Sequence, residues 1–491
     1  MADRRLLTGA LVMTGPAWVP APADVLVDGA IIEAIGRPGE LSHADAAVVD
    51  LSGRLVMPGL VNAHVHSHNM VARGANRDWT LEASLLHGAW MSAERRRELA
   101  GLAALLAGAE TMSSGAVGAF DLLAQSGIPD PDVLVAAAEA YHRTGLRVRL
   151  APMVADRSVH EAVPVIGACC AAVGSTLPAA TPTADLLTAC EHFVAGMPPD
   201  ADVTAAVAPT IPSHCTTELM LGLRQLADRH GLPVHLHLAE SKPQAISASE
   251  RFGRSITAEL AAIGMLDGPL TAAHGIWVDD ADIELLADAG STVVTVPGSN
   301  LRLGSGVAPT ASLLDAGVQL AVGTDGANSA DALDVLDATR LATLLSRISS
   351  AGPDRWLSVE HALDAATVGG AAACGWSDTG RLEAGRRADL CVVDLRGPAF
   401  HPATDVANQL LTAARAADVT DVMVAGTFHY RDRRHVGIDL DSARSRWDEL
   451  AEELLAGVQP RRDLAETQVA ASRDALEELR ARPWPVERLL P

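Results

Sequence analysis

The sequence predicts a (β/α)8 barrel with a small flanking β-sandwich built from both ends of the chain. Three observations carry this reading. From Pro58 to about residue 324, eight short apolar runs alternate with amphipathic or long connecting stretches. On either side of that region the pattern falls back to brief β-type runs punctuated by glycine. Polar residues also gather at the C-terminal ends of several barrel runs, where such a barrel keeps its chemistry.

The elements follow in order. Residues 1–57 carry β-type runs at 6–13, 25–27, 30–35 and 47–51, with turns at Gly29, Gly36 and Gly39. They form the first part of the sandwich. Barrel strands are expected near 58–63, 115–121, 147–153, 203–208, 234–239, 270–273, 291–296 and 319–324. Helical stretches at 93–110, 132–144, 217–230 and 279–289 fall between them. Residues 154–182 read as a long loop before a helix at 183–196, and loops of that length are commonly functional. The catalytic barrel is bounded at 58–378. Residues 379–437 return to β pattern at 381–394 and 422–426 and complete the sandwich. Residues 438–491 read as a helical extension of two charged amphipathic helices, broken near Gln459-Pro460.

Composition narrows the function. Apolar residues make up 48% and aromatics only 3%, so the core is aliphatic. A formal charge of −23 argues against nucleic acid and anionic membranes as partners. No run of about 18 apolar residues predicts a membrane span. The N-terminus is not a convincing signal peptide. Six cysteines without Cys-x-x-Cys spacing read as reduced side chains in a cytoplasmic protein. That spacing also excludes the His-x-Glu, Pro-Cys-x-x-Cys type of zinc deaminase.

The chemistry-bearing stretch is Val56-Met57-Pro58-Gly59-Leu60-Val61-Asn62-Ala63-His64-Val65-His66. Alternation along a strand sends His64 and His66 to one face, where two imidazoles can hold a divalent metal. Alone, a His-x-His is more often packing than ligand. Here the fifth run reads His235-Leu236-His237-Leu238-Ala239-Glu240. The sixth ends Ala273-His274-Gly275, and the eighth ends Thr324-Asp325-Gly326. Together they place polar side chains at four strand ends of one barrel. By alternation His235 shares the face of His237, one layer deeper.

With Ser299-Asn300-Leu301-Arg302-Leu303-Gly304-Ser305-Gly306 and Leu382-Glu383-Ala384-Gly385-Arg386-Arg387-Ala388-Asp389-Leu390, these motifs make the chain resemble the amidohydrolase superfamily. The likeness is to its cytosine-deaminase-like branch, which holds S-adenosylhomocysteine/methylthioadenosine deaminases, guanine deaminases and s-triazine hydrolases. It spans residues 5 to 430. The resemblance implies one divalent metal ion, zinc first, with Fe2+ or Mn2+ as alternatives, held by His64, His66, His237 and Asp325. It implies that Glu240 moves the proton of the metal-bound hydroxide's parent water to the ring. His274 would contact that water and the developing oxygen, and Asp325 would take the second proton. A binuclear relative would need a lysine at the end of strand four. The only lysine, Lys242, follows strand five.

The implied activity is hydrolytic deamination, releasing ammonia from an amino-substituted N-heterocycle, a C–N hydrolysis outside peptide bonds. The alternative is displacement of chloride, alkylamine or thiol from a triazine- or pyrimidine-like ring. A non-catalytic metal-binding scaffold is the third reading. The partner is a small heterocycle, and the resemblance suggests a homodimer or homotetramer.

Departures from the family pattern bear on the substrate. Ser84 stands where the adenosine-type enzymes carry tryptophan. Thr210 replaces a substrate-contacting histidine, and the segment after strand seven reads Val296-Pro297-Gly298-Ser299-Asn300. Ser329 matches the family's serine. Candidate substrate contacts are Trp79, His87, Trp90, Asp156, Arg157, His160, Thr210 and Ser329.

Overall fold

A computed structural model describes residues 4–41, 45–91, 97–175, 180–198, 201–350 and 352–489. The chain opens with five strands, β1 (Arg4–Val12), β2 (Ala21–Asp28), β3 (Ile31–Gly36), β4 (Ala47–Asp50) and β5 (Arg54–Pro58). Barrel strands follow as β6 (Leu60–His66), β7 (Ala116–Ala124), β8 (Arg147–Val154), β9 (Val203–Ala205), β10 (Ala208–Pro209), β11 (His235–Leu238), β12 (Thr271–His274), β13 (Thr292–Thr295), β14 (Gln319–Val322) and β15 (Asp325–Gly326). The last strands are β16 (Leu390–Asp394), β17 (Val419–Val424), β18 (Thr427–Arg431) and β19 (Arg434–His435).

The barrel strands pair in parallel as two arcs. One runs β10-β8-β7-β6-β15, with β9 on β8, and the other runs β11-β12-β13-β14. The expected fourth and eighth strands are each interrupted, giving β9 with β10 and β14 with β15. These interruptions are where the arcs meet. A bridge joins Val207 to Val234, and the amides of His235 and His237 donate to the carbonyls of Val207 and Thr210. On the other side the chain passes from β14, paired with β13, into β15, paired with β6. There the amide of Thr324 donates to the carbonyl of His64 at 3.1 Å. Gly323 makes this approach possible, because a Cβ on it would lie 2.6 Å from that of His64.

The flanking strands form one hydrogen-bonded sheet ordered β19-β18-β17-β16-β5-β1-β2-β3, with β4 also on β1. It curls around Leu7, Val25, Val27, Ile32, Val56, Val392 and Met423, so that β3 faces the segment leading into β16 across a gap. The amide of Ile32 donates to the carbonyl of Arg386, and that of Ala388 to Ala30. Residues 381–389, read from the sequence as strand, cross this gap as turns, with Gly385 at a φ of 86°. Between sheet and barrel, Gly59 has no room for a side chain: a Cβ would sit 2.1 Å from Val117 Cγ1.

Helices cover the barrel by burying apolar stripes. Thr217–His230 buries Leu219, Met220, Leu223, Leu226 and Ala227. Thr216 caps its start and Gly231 ends it in the left-handed region. The helix expected at 93–110 is Arg97–Ser113, its residues 93–96 lying outside the described residues, and a further helix, Leu81–Met91, precedes it. The expected loop at 154–182 contains two helices, Val159–Ala162 and Pro164–Ala172; its residues 176–179 lie outside the described residues. Ser158 and Glu161 form a capping box at the first of these, a signal the loop reading passed over. The final helices, Leu440–Gly457 and Gln459–Ala481, meet at the expected break. Among the described residues, no helix is long and apolar enough to cross a membrane.

Candidate active site

Strand register brings the site together. Gly326 of β15 pairs with His66 of β6, and Ala273 of β12 pairs with His237 of β11. His64, His66, His237, His274 and Asp325 converge at the C-terminal ends of these strands, all buried. The ligand atoms of His64, His66 and His237 lie within 4.8 Å of one another, as do those of His64, His274 and Asp325. Asp325 Oδ1 is 3.3 Å from His66 Nε2 and 3.8 Å from His64 Nε2. Three strand ends adopt positive φ at non-glycine residues: Ala239 (44°), His274 (70°) and Asp325 (66°). That conformation is costly and concentrates where a fold must aim side chains.

The other ring nitrogens are committed. His66 Nδ1–H donates to the carbonyl of Leu122 at 2.8 Å, and His237 Nδ1–H donates to that of Thr210 at 2.6 Å. Their Nε2 lone pairs therefore point at each other, 3.1 Å apart. Two acceptors at that distance repel unless a cation lies between them. His64 Nε2 is buried without a hydrogen-bond partner, while its Nδ1 meets His235 Nε2 at 3.1 Å. This donor set, three neutral imidazoles and one carboxylate with their far sides anchored, fits one divalent metal. Burial, then the neighbouring imidazoles, pushes His64 well down and His237 to about 3. Burial pushes Asp325 up, but His66 and His274 bring it to a net position below the usual carboxylate range.

Glu240 follows the turn at Ala239 and precedes Ser241, which caps the helix Lys242–Phe252. Its Oε2 lies 3.4 Å from His274 Nε2. Burial, then Asp325 and Glu82, raises its carboxyl well above the usual range. Asn300 Oδ1 accepts from His274 Nδ1–H at 2.8 Å and turns His274 Nε2, which has no hydrogen-bond partner, toward Glu240. Asn300 sat in a quoted motif without a role. Its signal was a polar residue beside a strand end that had lost the family's usual sequence.

A cavity of about 200 Å³ opens onto these groups. Thr210 and Ser329 line it, as does Ser84. The other six candidate contacts are placed elsewhere. Trp79 stacks on His87 with ring centroids 4.0 Å apart, and Trp90 Nε1–H donates to His87 Nδ1. That cluster packs under Val458 and Ala465 of the C-terminal extension. Asp156 accepts from Thr183, Thr216 Oγ1 and the Thr216 amide, tying two helix starts together. The amide of Arg157 donates to the carbonyl of His214, and His160 is buried in the short helix Val159–Ala162. The sequence marked these six as near the barrel mouth but could not show that local packing uses them. Lining residues that sequence reasoning missed include His68, Asn69, Met91, Met153 and Asn328. A larger groove of about 1100 Å³ beside Arg73, Tyr430 and Trp447 holds none of the converging groups.

A parallel barrel that gathers imidazoles, a carboxylate and a buried Glu–His contact at its C-terminal mouth defines a metal-dependent hydrolase. The chain belongs to the amidohydrolase family, whose model matches residues 55–428. It is 32% identical over 457 residues to a 5-methylthioadenosine/S-adenosylhomocysteine deaminase of Haloarcula marismortui, covering 92% of this chain and 98% of the relative. It is 31% identical to a 5'-deoxyadenosine deaminase of Methanosarcina acetivorans, covering 88% and 93%. Among solved structures, a zinc-bound adenosine deaminase from Xanthomonas campestris superposes with a TM-score of 0.81 at 27% identity, covering 92% and 98%. A zinc-bound atrazine chlorohydrolase from Arthrobacter aurescens superposes with a TM-score of 0.82 at 25% identity, covering 91% and 100%.

Proposed function

We propose that this protein is a hydrolytic deaminase that releases ammonia from an amino-substituted nitrogen heterocycle. The observation that carries the reading is the contact of Glu240 with His274 beside a complete ligand set, at the floor of a small cavity. His64, His66, His237 and Asp325 would hold the metal, with zinc our first choice given the zinc-bound neighbours. When bound, such an ion polarises a water so that it can serve as a nucleophile near neutral pH.

The protein's own residues do the rest. Glu240 as carboxylate takes one proton from the attacking water and delivers it to the ring nitrogen beside the reacting carbon. A carbon–oxygen bond forms as the ring π-bond opens onto that nitrogen. His274, whose Nδ1–H is held by Asn300, turns its Nε2 lone pair to the site and accepts a hydrogen bond from the O–H of the attacking water. Asp325 accepts the remaining proton of that oxygen and passes it to the amino group. The carbon–nitrogen bond then breaks and ammonia leaves.

The deaminase relatives support this leaving group. A second reading, displacement of chloride, alkylamine or thiol, draws on the atrazine chlorohydrolase likeness and on Ser84 and Thr210 in the cavity wall. Assaying the zinc-loaded protein against pterins, purines, pyrimidines and triazines separates them. Ammonia release supports the first reading, chloride or alkylamine release the second, and a metal-replete protein inert to all four classes sinks both.

We further propose that the protein is cytoplasmic and assembles as a homodimer or homotetramer. All six cysteines are unpaired, which suits a reducing compartment. Light scattering tests the assembly.

A further inference from the structure

We propose that the C-terminal segment around Arg480–Arg488 is part of the active site's framework, and that Glu82 with Arg480 and Ser241 positions Glu240. The inference rests on the reading of Glu240 and His274 given above and explains what holds them in place.

Glu82 lies on the helix Leu81–Met91 and its side chain is 1% exposed. One carboxylate oxygen accepts from the hydroxyl of Ser241, the residue after Glu240. The other is buried without a hydrogen-bond partner, and Arg480 Nη2, from the last helix, lies 3.7 Å from it. Ser241 Oγ in turn accepts from the amide of Gln244 at 3.2 Å, and Gln244 Oε1 accepts from the amide of Glu240 at 2.9 Å. A continuous series of polar contacts thus runs from the C-terminal helix to the backbone of the proposed acid. A buried carboxylate in an apolar wall is costly unless paired, so Arg480 is what makes Glu82 tolerable there.

The chain beyond that helix grips the second proton-transfer residue as well. Arg488 donates to the carbonyls of Ile276 and Val278, at 3.0 and 2.8 Å, just after His274. Trp484 Nε1–H donates to the carbonyl of Trp277, and Glu487 lies 3.7 Å from Lys242. The amide of Trp277 donates to the carbonyl of Ala239, so the turns that carry Glu240 and His274 are stitched to each other as well as to the C-terminal segment. None of these residues touches the ligand set. They are positioning residues, acting through the two turns.

Hydrogen exchange on the zinc-loaded full chain tests this, with kinetics alongside on whichever ring the protein turns over. In Arg480→Gln, exchange over residues 239–246 rises, and kcat falls on the order of ten- to a hundred-fold with KM and zinc content retained. Glu82→Gln/Arg480→Gln recovers most of both losses, because the unpaired buried charge is gone. Arg480→Lys keeps the wild-type exchange pattern. Unchanged exchange over 239–246 in Arg480→Gln overturns the proposal, as does a double variant no better than the single one. A rise spread over the whole chain, or Arg480→Lys behaving like Arg480→Gln, overturns it too. If wild type turns over no ring at all, the deaminase reading fails, while the exchange data still decide the positioning claim.

Discussion

His66 and His237 face each other across 3.1 Å, Nε2 to Nε2, each with its other nitrogen bound to a backbone carbonyl. Neither ring can turn away without losing a buried hydrogen bond. The pair is built around a shared cation.

Metal removal therefore strips stability as well as activity. Chelation lowers the melting temperature by several degrees, and re-addition of zinc restores it, since a ligand bound only by the folded state stabilises it. Elemental analysis of Asp325→Asn and His237→Asn finds far less than one metal per chain. Full occupancy in both variants would break the ligand assignment.

His235 anchors His64 from below at 3.1 Å. His235→Gln weakens metal affinity by about ten- to a hundred-fold, as loss of a partner behind a ligand does. Competition with a chelator of known affinity measures it. Unaltered affinity would mean that His235 only fills space.

Glu240→Gln removes the proton carrier without touching the ligands. Turnover drops by about 10²–10⁴-fold while metal content and melting temperature hold. Retained turnover would remove Glu240 from the chemistry.

The metal-free protein loses stability as the pH falls from 7 towards 4. His64, His235, His237 and His274 all have folded pKa values below the ordinary 6.5, chiefly through burial. The unfolded chain takes up protons below 6.5 that the folded chain refuses, so unfolding gains. Carboxyls raised by burial, Glu240 with Asp121, Asp282, Asp334 and Asp389, work the other way, but His87, His160, His214, His429 and His435 are lowered as well, so five carboxyls stand against nine histidines. Thermal denaturation across that range checks the sign, and a flat profile contradicts it.

Gly59→Ala destabilises the junction of sheet and barrel by about 1–3 kcal/mol, because Val117 must move to admit the methyl group. Denaturant unfolding with an unchanged m-value is the expected signature. Wild-type stability would show that the junction yields freely.

Much of the site was readable from spacing. His64 and His66 share a face because a strand alternates, and His237 and His235 do so for the same reason. Glu240, His274 and Asp325 were readable because a parallel barrel collects its strand ends on one side. Trp79, His87 and Trp90 do not line the cavity of about 200 Å³: their nearness to the barrel mouth was legible, but not that the last helices pack on this cluster. Asn300, Asn328 and Glu82 were missed because a buried polar residue looks in sequence like an exposed one.

The sequence by itself determined the strand and helix rhythm and the convergence of His64, His66, His237, Glu240, His274 and Asp325 at one barrel mouth. These follow from local periodicity and the direction of parallel strands. Only the tertiary structure decided which polar side chains face the cavity and that Arg480 reaches Glu82. Those outcomes depend on contacts between residues hundreds of positions apart, and local pattern holds no record of them.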